Sequence, residues 1–402
     1  MSKDVGAMSC GGELGATTSS HWCHLKLDQL GTLQRGRSRH RPRYAFHLYG
    51  GNYPFIQTGE IREARKYVRV FEQTYNEAGL EQSKLWPKGT LCITIAANIA
   101  ELGVLAFDAC FPDSVLGFIP NREKADLDFI YYTLTHFQRE LRHAGEGSVQ
   151  DNINLGTFQE IEFPIPSLPE QTAIATVLSR IDDKIDLLHR QNKTLEAMAE
   201  TLFRHWFLED EGEGWKERPL SSIATFLNGL ACQKYPPAND LEKLPVLKIR
   251  ELSSGISETS DWATSQVKPD YLVEAGDVIF AWSASLMVKV WDGEKCVLNQ
   301  HLFKVTSAEF PKWFYLLWCK HHLAEFIAIS ASHATTMGHI KRGDLDAAMV
   351  LVPPPPVLET MSAQMTPLLD KQIEIARQRK TLEKLRDTLL PKLMSGEVRV
   401  AY

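Results

Sequence analysis

The sequence predicts a mixed α/β (α+β) chain. Two globular domains are separated by two long helices that pair as an intramolecular antiparallel coiled coil, and the halves form a pseudo-two-fold duplication. Three observations carry this expectation. Internal matches recur in order about 190 residues apart. A proline-marked joint in each half leads into a heptad pattern. The segments before the joints hold short apolar runs broken by glycine, asparagine, aspartate and proline.

The duplication comes first, because it fixes everything after it. Lys193-Thr194-Leu195-Glu196 recurs as Lys380-Thr381-Leu382-Glu383, an offset of 187 (380 − 193). At that offset Asp183-Lys184 matches Asp370-Lys371, Pro166 matches Pro353, Pro169 matches Pro356, and Gly89 matches Gly276. Ile153 matches Ile340 as well. Near the start, LDQLGTLQRG from Leu27 aligns with LSSIATFLNG from Leu220 at 193. Loops therefore differ in length while the scaffold persists. A period this long belongs to a doubled domain pair and not to a solenoid.

In chain order, residues 1–20 are rich in Gly, Ser and Thr and read as a flexible extension, with Met8 as another start. Residues 21–165 form a first mixed domain, and 166–210 a first long helix. Residues 211–352 form a second mixed domain, and 353–398 a second long helix. The joints PIPSLPEQ and VPPPPVLET suit helix starts, since proline is tolerated in a first turn and not beyond it. Behind the first joint, Ile174, Leu178, Ile181, Ile185, Leu188, Asn192 and Leu195 repeat at heptad spacing. Behind the second, Leu368, Ile375, Leu382 and Leu389 keep the seam, interrupted by Gln372, Arg379 and Arg386. A polar seam residue fixes register at some cost in stability. A helix over 170–207 is roughly 55 Å long, on the order of 16 base pairs of duplex.

The bulk composition bounds the function. The chain has 402 residues, 44% of them hydrophobic and 23% charged, with a formal net charge of −6. It lacks the apolar run of a membrane span. Seven cysteines, an odd number with no CxxC spacing, suit a reducing cytoplasm and argue against a zinc module. No P-loop, GxGxxG, HExxH or GxSxG pattern occurs. The Asn/Asp-Pro-Pro-aromatic element of amino-methyltransferases is missing too. These absences together favour binding over catalysis.

Against the acidic total stands one basic stretch, RGRSRHRPR. In an extended segment Arg35, Arg37, Arg39, Arg41 and Arg43 share one face. Guanidinium suits phosphate and the guanine edge. A solvated loop or an acidic protein partner is the competing reading. The second copy has only lysines and one arginine nearby, among them Lys248 and Arg250. Polar clusters at strand ends add Gln57, Thr58, Asn299, Gln300, Thr335, Thr336 and His339 as candidate base readers, with turn chemistry as the alternative for each.

The YPFIQTGEI strand-loop, the Gly-led apolar strand and FPIPSLPEQTAIATVLSRIDDKIDLL resemble the specificity (S) subunit of type I restriction–modification systems. The second joint departs from that pattern, with Val357-Leu358 where Glu170-Gln171 stand. The resemblance implies two target recognition domains, each reading half of a bipartite, asymmetric site in double-stranded DNA. It also implies docking of two modification (methyltransferase) subunits and of restriction (motor-nuclease) subunits. S-adenosylmethionine, ATP and magnesium are then expected on those partners, with no cofactor, metal or catalytic residue on this cytoplasmic chain. The alternative is a coiled-coil assembly scaffold that binds no nucleic acid.

Overall fold

The computed structural model describes residues 22–40, 42, 44–96, 99–146, 155–209, 212–332 and 338–401. The expected extension over 1–20, Ile153, Arg41, Arg43, Thr335 and Thr336 lie outside the described residues. The chain divides into two units, one of Met1–Asp182 with Arg386–Tyr402 and one of Asp183–Leu385.

In the first unit Cys23–Leu25 pairs antiparallel with Phe163–Ile165, which brings the two ends of the globular part together. One sheet has the strand order Gly31–Arg35, Val115–Pro120, Leu91–Thr94, Leu102–Leu105, Tyr67–Val68. A second has the order Gln73–Tyr75, Tyr49–Phe55, Ala109–Cys110, Leu85–Trp86. The second unit repeats this plan. Lys216–Pro219 pairs with Met349–Val352. One sheet runs Thr225–Asn228, Leu302–Thr306, Val278–Ala281, Met287–Val290, and the other Trp262–Thr264, Lys243–Leu247, Cys296–Leu298, Leu272–Val273. Even the parallel pairing inside the second sheet is shared, at Phe55–Cys110 and at Val246–Val297. The parallel pairing of Tyr67–Val68 with Leu102–Leu105 is the addition in the first copy.

The internal sequence matches thus fall on matching elements. Gly89 and Gly276 both have positive φ, 84° and 102°, a backbone state open to glycine at no steric cost. Each copy then runs through a helix pair, Leu127–His136 with Gln138–Glu146 and Lys312–His321 with Leu323–Ser332.

The two long helices are Leu168–Arg204, followed by a π-type turn at His205–Glu209, and Pro355–Met394. The first starts on Gln171. Its buried amide accepts from Asp126 N at 3.0 Å and donates to Lys124 O and Pro166 O at 3.1 and 3.0 Å. In the second copy Leu358 takes that place and packs, partly buried, on the core of its unit.

Seam burial follows the heptad. Ile174, Leu178, Ile185 and Leu188 are buried, and Ile181, Asn192 and Leu195 half-buried. In the second helix Ile375 is buried, and Leu368, Leu382 and Leu389 are half-buried. The neighbouring Leu369 goes deeper than Leu368 and joins the core with Met361 and Met365. In the first unit Ile174 and Leu178 share a core with Leu393 and Met394, while Asp182 meets Arg386. In the second unit Ala199 shares a core with Met365 and Leu369. A cleft there of about 310 Å³ is lined by His189 and Asn192 together with Ala376 and Arg379. Within each unit, therefore, the helices run side by side in opposite directions.

The polar seam residues find partners outside the seam. Arg379 reaches Asp292 at 2.7 Å, and Arg386 reaches Asp182 at 3.0 Å. Asp182 also accepts from Tyr132 Oη at 2.7 Å. Lys66, only 4% exposed, pairs with Asp128 at 3.1 Å, donates to Ser179 at 2.8 Å and lies over the Tyr132 ring. Burial, with Asp182 beside it, holds the Tyr132 hydroxyl far above the usual phenol range. Burial works against the Arg386 charge, and the Asp182 carboxylate more than offsets it.

Asn192 Oδ1, by contrast, is buried and accepts from no donor among the described residues. An unsatisfied buried acceptor costs about 1–3 kcal/mol. Asn192→Leu is therefore expected to raise the stability of the chain by about 1 kcal/mol in urea titration, as replacement of a polar seam residue does elsewhere. A loss of stability would mean that the amide is satisfied in solution.

Candidate nucleic-acid interface

The expected alternation of the arginine stretch holds over the described part. Gly36 and Ser38 are buried, Arg35 and Arg39 exposed, and Arg37 half-buried between them. Gly31–Arg35 is an edge strand, and the chain beyond it is held by Gly36 N to Val115 O at 2.8 Å and Arg37 N to Phe111 O at 3.1 Å. The three side chains differ in what they do. Arg37 turns onto the loop at Ser83: its guanidinium donates twice to Ser83 O, and Ser83 Oγ donates back to Arg37 O. These contacts tie Arg37 to the loop at Ser83. Arg35 Nε donates to Asp113 O and keeps its side chain exposed.

Next to this edge lies a cation that the sequence reading missed. Lys84 Nζ sits 3.6 Å over the Trp86 ring and donates to Gln34 Oε1 at 2.7 Å. Burial, then the charge of Arg37, lowers its pKa. The contact that brings it to the arginine edge joins residues 50 apart in sequence.

Gln57 and Thr58 open the helix Thr58–Glu63. Gln57 N donates to Glu60 Oε2 at 3.1 Å, and Gln57 Nε2 donates to Gln73 at 3.2 Å. Here the turn-and-cap alternative describes the observed contacts.

In the second unit Lys248 is paired with Asp261, whose pKa the lysine lowers. Arg250 grips Glu251 Oε1 through two nitrogens, at 2.9 and 2.7 Å, and donates to Thr259 O. Their charges are thus largely neutralised within the chain. Asn299 is 5% exposed, and its Oδ1 accepts from His301 N at 3.3 Å. That contact is turn chemistry, the alternative for this residue. Gln300 lies beside His301, with their side-chain nitrogens 3.4 Å apart. His339 bridges the backbone of Ser283 and packs edge-on against Trp282, whose Nε1 donates to Asn228.

The thiols of Cys92, Cys110, Cys232, Cys296 and Cys319 are free and buried, and burial raises the pKa of each. Thiols in such surroundings are inert. No helix among the described residues is long and apolar enough to cross a membrane.

Two copies of one mixed fold, each continuing into a long helix, define a duplicated two-domain protein with paired long helices. The family described as "Type I restriction modification DNA specificity domain" matches residues 20–197 and again 212–384. The chain belongs to that family. It is 26% identical over 385 residues to the type I restriction enzyme MjaIX specificity subunit of Methanocaldococcus jannaschii, covering 88% of each chain. It is 23% identical over 390 residues to the MjaVIII specificity subunit of the same organism, covering 87% of each. The crystal structure of a type I restriction–modification S subunit from M. genitalium superposes with a TM-score of 0.61 at 16% identity, covering 94% of this chain and 98% of that one.

The acidic side chain under Arg250 gives this region a pH signature. Burial raises the Glu251 pKa, but Arg250 and Ser260 outweigh it, and the carboxyl ends below its usual range. A carboxyl depressed by folding contributes stability that is complete above its unfolded pKa and is lost as pH falls through the folded one. The melting temperature of the chain should fall more steeply between about pH 5 and pH 3 than that of Glu251→Gln. The variant should be the less stable of the two near neutrality. Parallel profiles would remove Glu251 from the account.

Proposed function

We propose that this chain is the recognition subunit of a type I restriction–modification complex. Each unit reads one half of a bipartite, asymmetric site in double-stranded DNA, and the long helices set the distance between the halves. The chain performs no chemistry. Two modification subunits, carrying S-adenosylmethionine, and restriction subunits, using ATP and magnesium, dock on it in the cytoplasm.

The observation that carries the reading is one fold used twice with unlike side chains at the same edge. Arg35, Arg39 and Lys84 stand at the first copy's edge, where the second copy presents Thr225–Asn228. A symmetric reader would call for a palindrome; two unlike readers call for two unlike half-sites. A helix of 37 residues is roughly 55 Å long, the span of about 16 base pairs.

The test is selection of bound duplexes from a random pool by the full chain with its modification partners, followed by titration at several salt concentrations. A split motif and a clear salt slope are expected. Arg35→Ala with Arg39→Ala should reduce that slope by about two and relax one half of the motif. No selected sequence and no salt-dependent binding, with assembly of the partners intact, would replace the reading with that of a scaffold.

A further inference from the structure

Two large apolar side chains stand almost wholly in solvent, Phe46 at 94% and Leu241 at 97%. They occupy equivalent places. Phe46 opens the 3-10 turn Phe46–Leu48 directly before Tyr49–Phe55, and Leu241 is central in the turn Asp240–Glu242 directly before Lys243–Leu247. Those two strands correspond in the duplicated sheets.

Neither tip is a loose loop. The Phe46 turn is closed by Leu48 N to Ala45 O at 3.0 Å and seated by buried Leu48. Asn76 Nδ2 donates to His47 O at 2.9 Å and to Tyr49 O at 3.1 Å, and His40 packs edge-on against His47 at 5.0 Å. In the other copy Asn239 Oδ1 accepts from Leu241 N and Glu242 N, both at 2.9 Å. Tyr44, also exposed, stands two residues from Phe46.

The charges around the tips differ. Between Asp28 and Glu60 the sequence has no carboxylate, and it carries five arginines and two histidines. The adjoining helix Glu77–Glu81 brings Glu77, which accepts from Tyr53 Oη at 3.0 Å. Leu241 is flanked by Asp240, paired with Lys243, and by Glu242. A polyanion is drawn to the first tip and not to the second.

Resting on the reading of the chain as a DNA-binding subunit, we propose that Phe46 is a wedge that enters the base stack of the first half-site, with Arg35 and Arg39 on the flanking phosphates. A pinned aromatic ring in a stretch rich in arginine and free of carboxylate has the means to part a base step from the groove side, and its burial there offsets part of the unstacking. The site is then read partly through how readily that step opens.

The experiment uses the full chain on duplexes that it has itself selected from a random pool. Permanganate reactivity of thymines and 2-aminopurine emission at adenines report unstacking. Wild type and Leu241→Ala should both show unstacked bases in one half-site. Phe46→Ala should lose the signal, bind about tenfold more weakly and keep its salt slope and melting temperature; Phe46→Trp should restore the signal. A selected motif with no unstacking, or unstacking that survives Phe46→Ala, overturns the wedge and leaves the DNA reading standing. Unchanged DNA binding with weakened assembly of the modification partners assigns Phe46 to a protein contact and overturns it as well. If no sequence is selected at all, both readings fall.

Discussion

The first unit depends on a chain of buried and half-buried charges and hydroxyls. Lys66, from the edge strand's flank, is held by Asp128 and Ser179; Tyr132 passes the contact to Asp182, and Asp182 holds Arg386. Four segments distant in sequence meet there: the strand edge, the helix Leu127–His136 and both long helices. Ammonium, phenol, carboxylate and guanidinium are each expensive to bury alone. Together they satisfy one another, and any one of them left without its neighbour would carry an uncompensated desolvation cost. The network therefore specifies one arrangement of the segments, where apolar packing alone would tolerate slippage along the seam.

The second unit solves the same problem with different chemistry. Its core is aromatic, with Phe203, Phe207, Trp313, Phe314 and Trp318 in mutual contact. Arg379 leaves the seam for Asp292, and Lys320 joins Glu196 and Glu200. A shared topology thus rests on unlike side chains, which is what two diverged copies of one domain require: the backbone plan is largely kept while its contents vary.

Much of this fold was legible in the sequence, for identifiable reasons. The long helices announce themselves through a local, periodic signal that packing then obeys, including the polar seam positions Asn192 and Arg386. The duplication is legible because positions such as Gly89 and Gly276 answer to backbone conformation, which tolerates few residues. The binding edge was legible only in part. Alternation placed Arg35 and Arg39 outward, but nothing local says that Arg37 turns to Ser83, that Asp261 neutralises Lys248, or that Asn299 is sealed in a turn. The first two depend on a residue brought in from elsewhere in the chain. Exposure of Phe46 escaped notice for the opposite reason, since an apolar residue in a sequence reads by default as core.

The starts of the two long helices are fastened by interactions that depend differently on temperature. Gln171 is fastened by three hydrogen bonds, an attachment that is enthalpic and holds in the cold. Leu358, its counterpart, is fastened by removal of apolar surface from water, which weakens on cooling. Cooling therefore loosens the hold of Leu358 more than that of Gln171, so chilling bears unequally on the two helix starts although the copies share one plan.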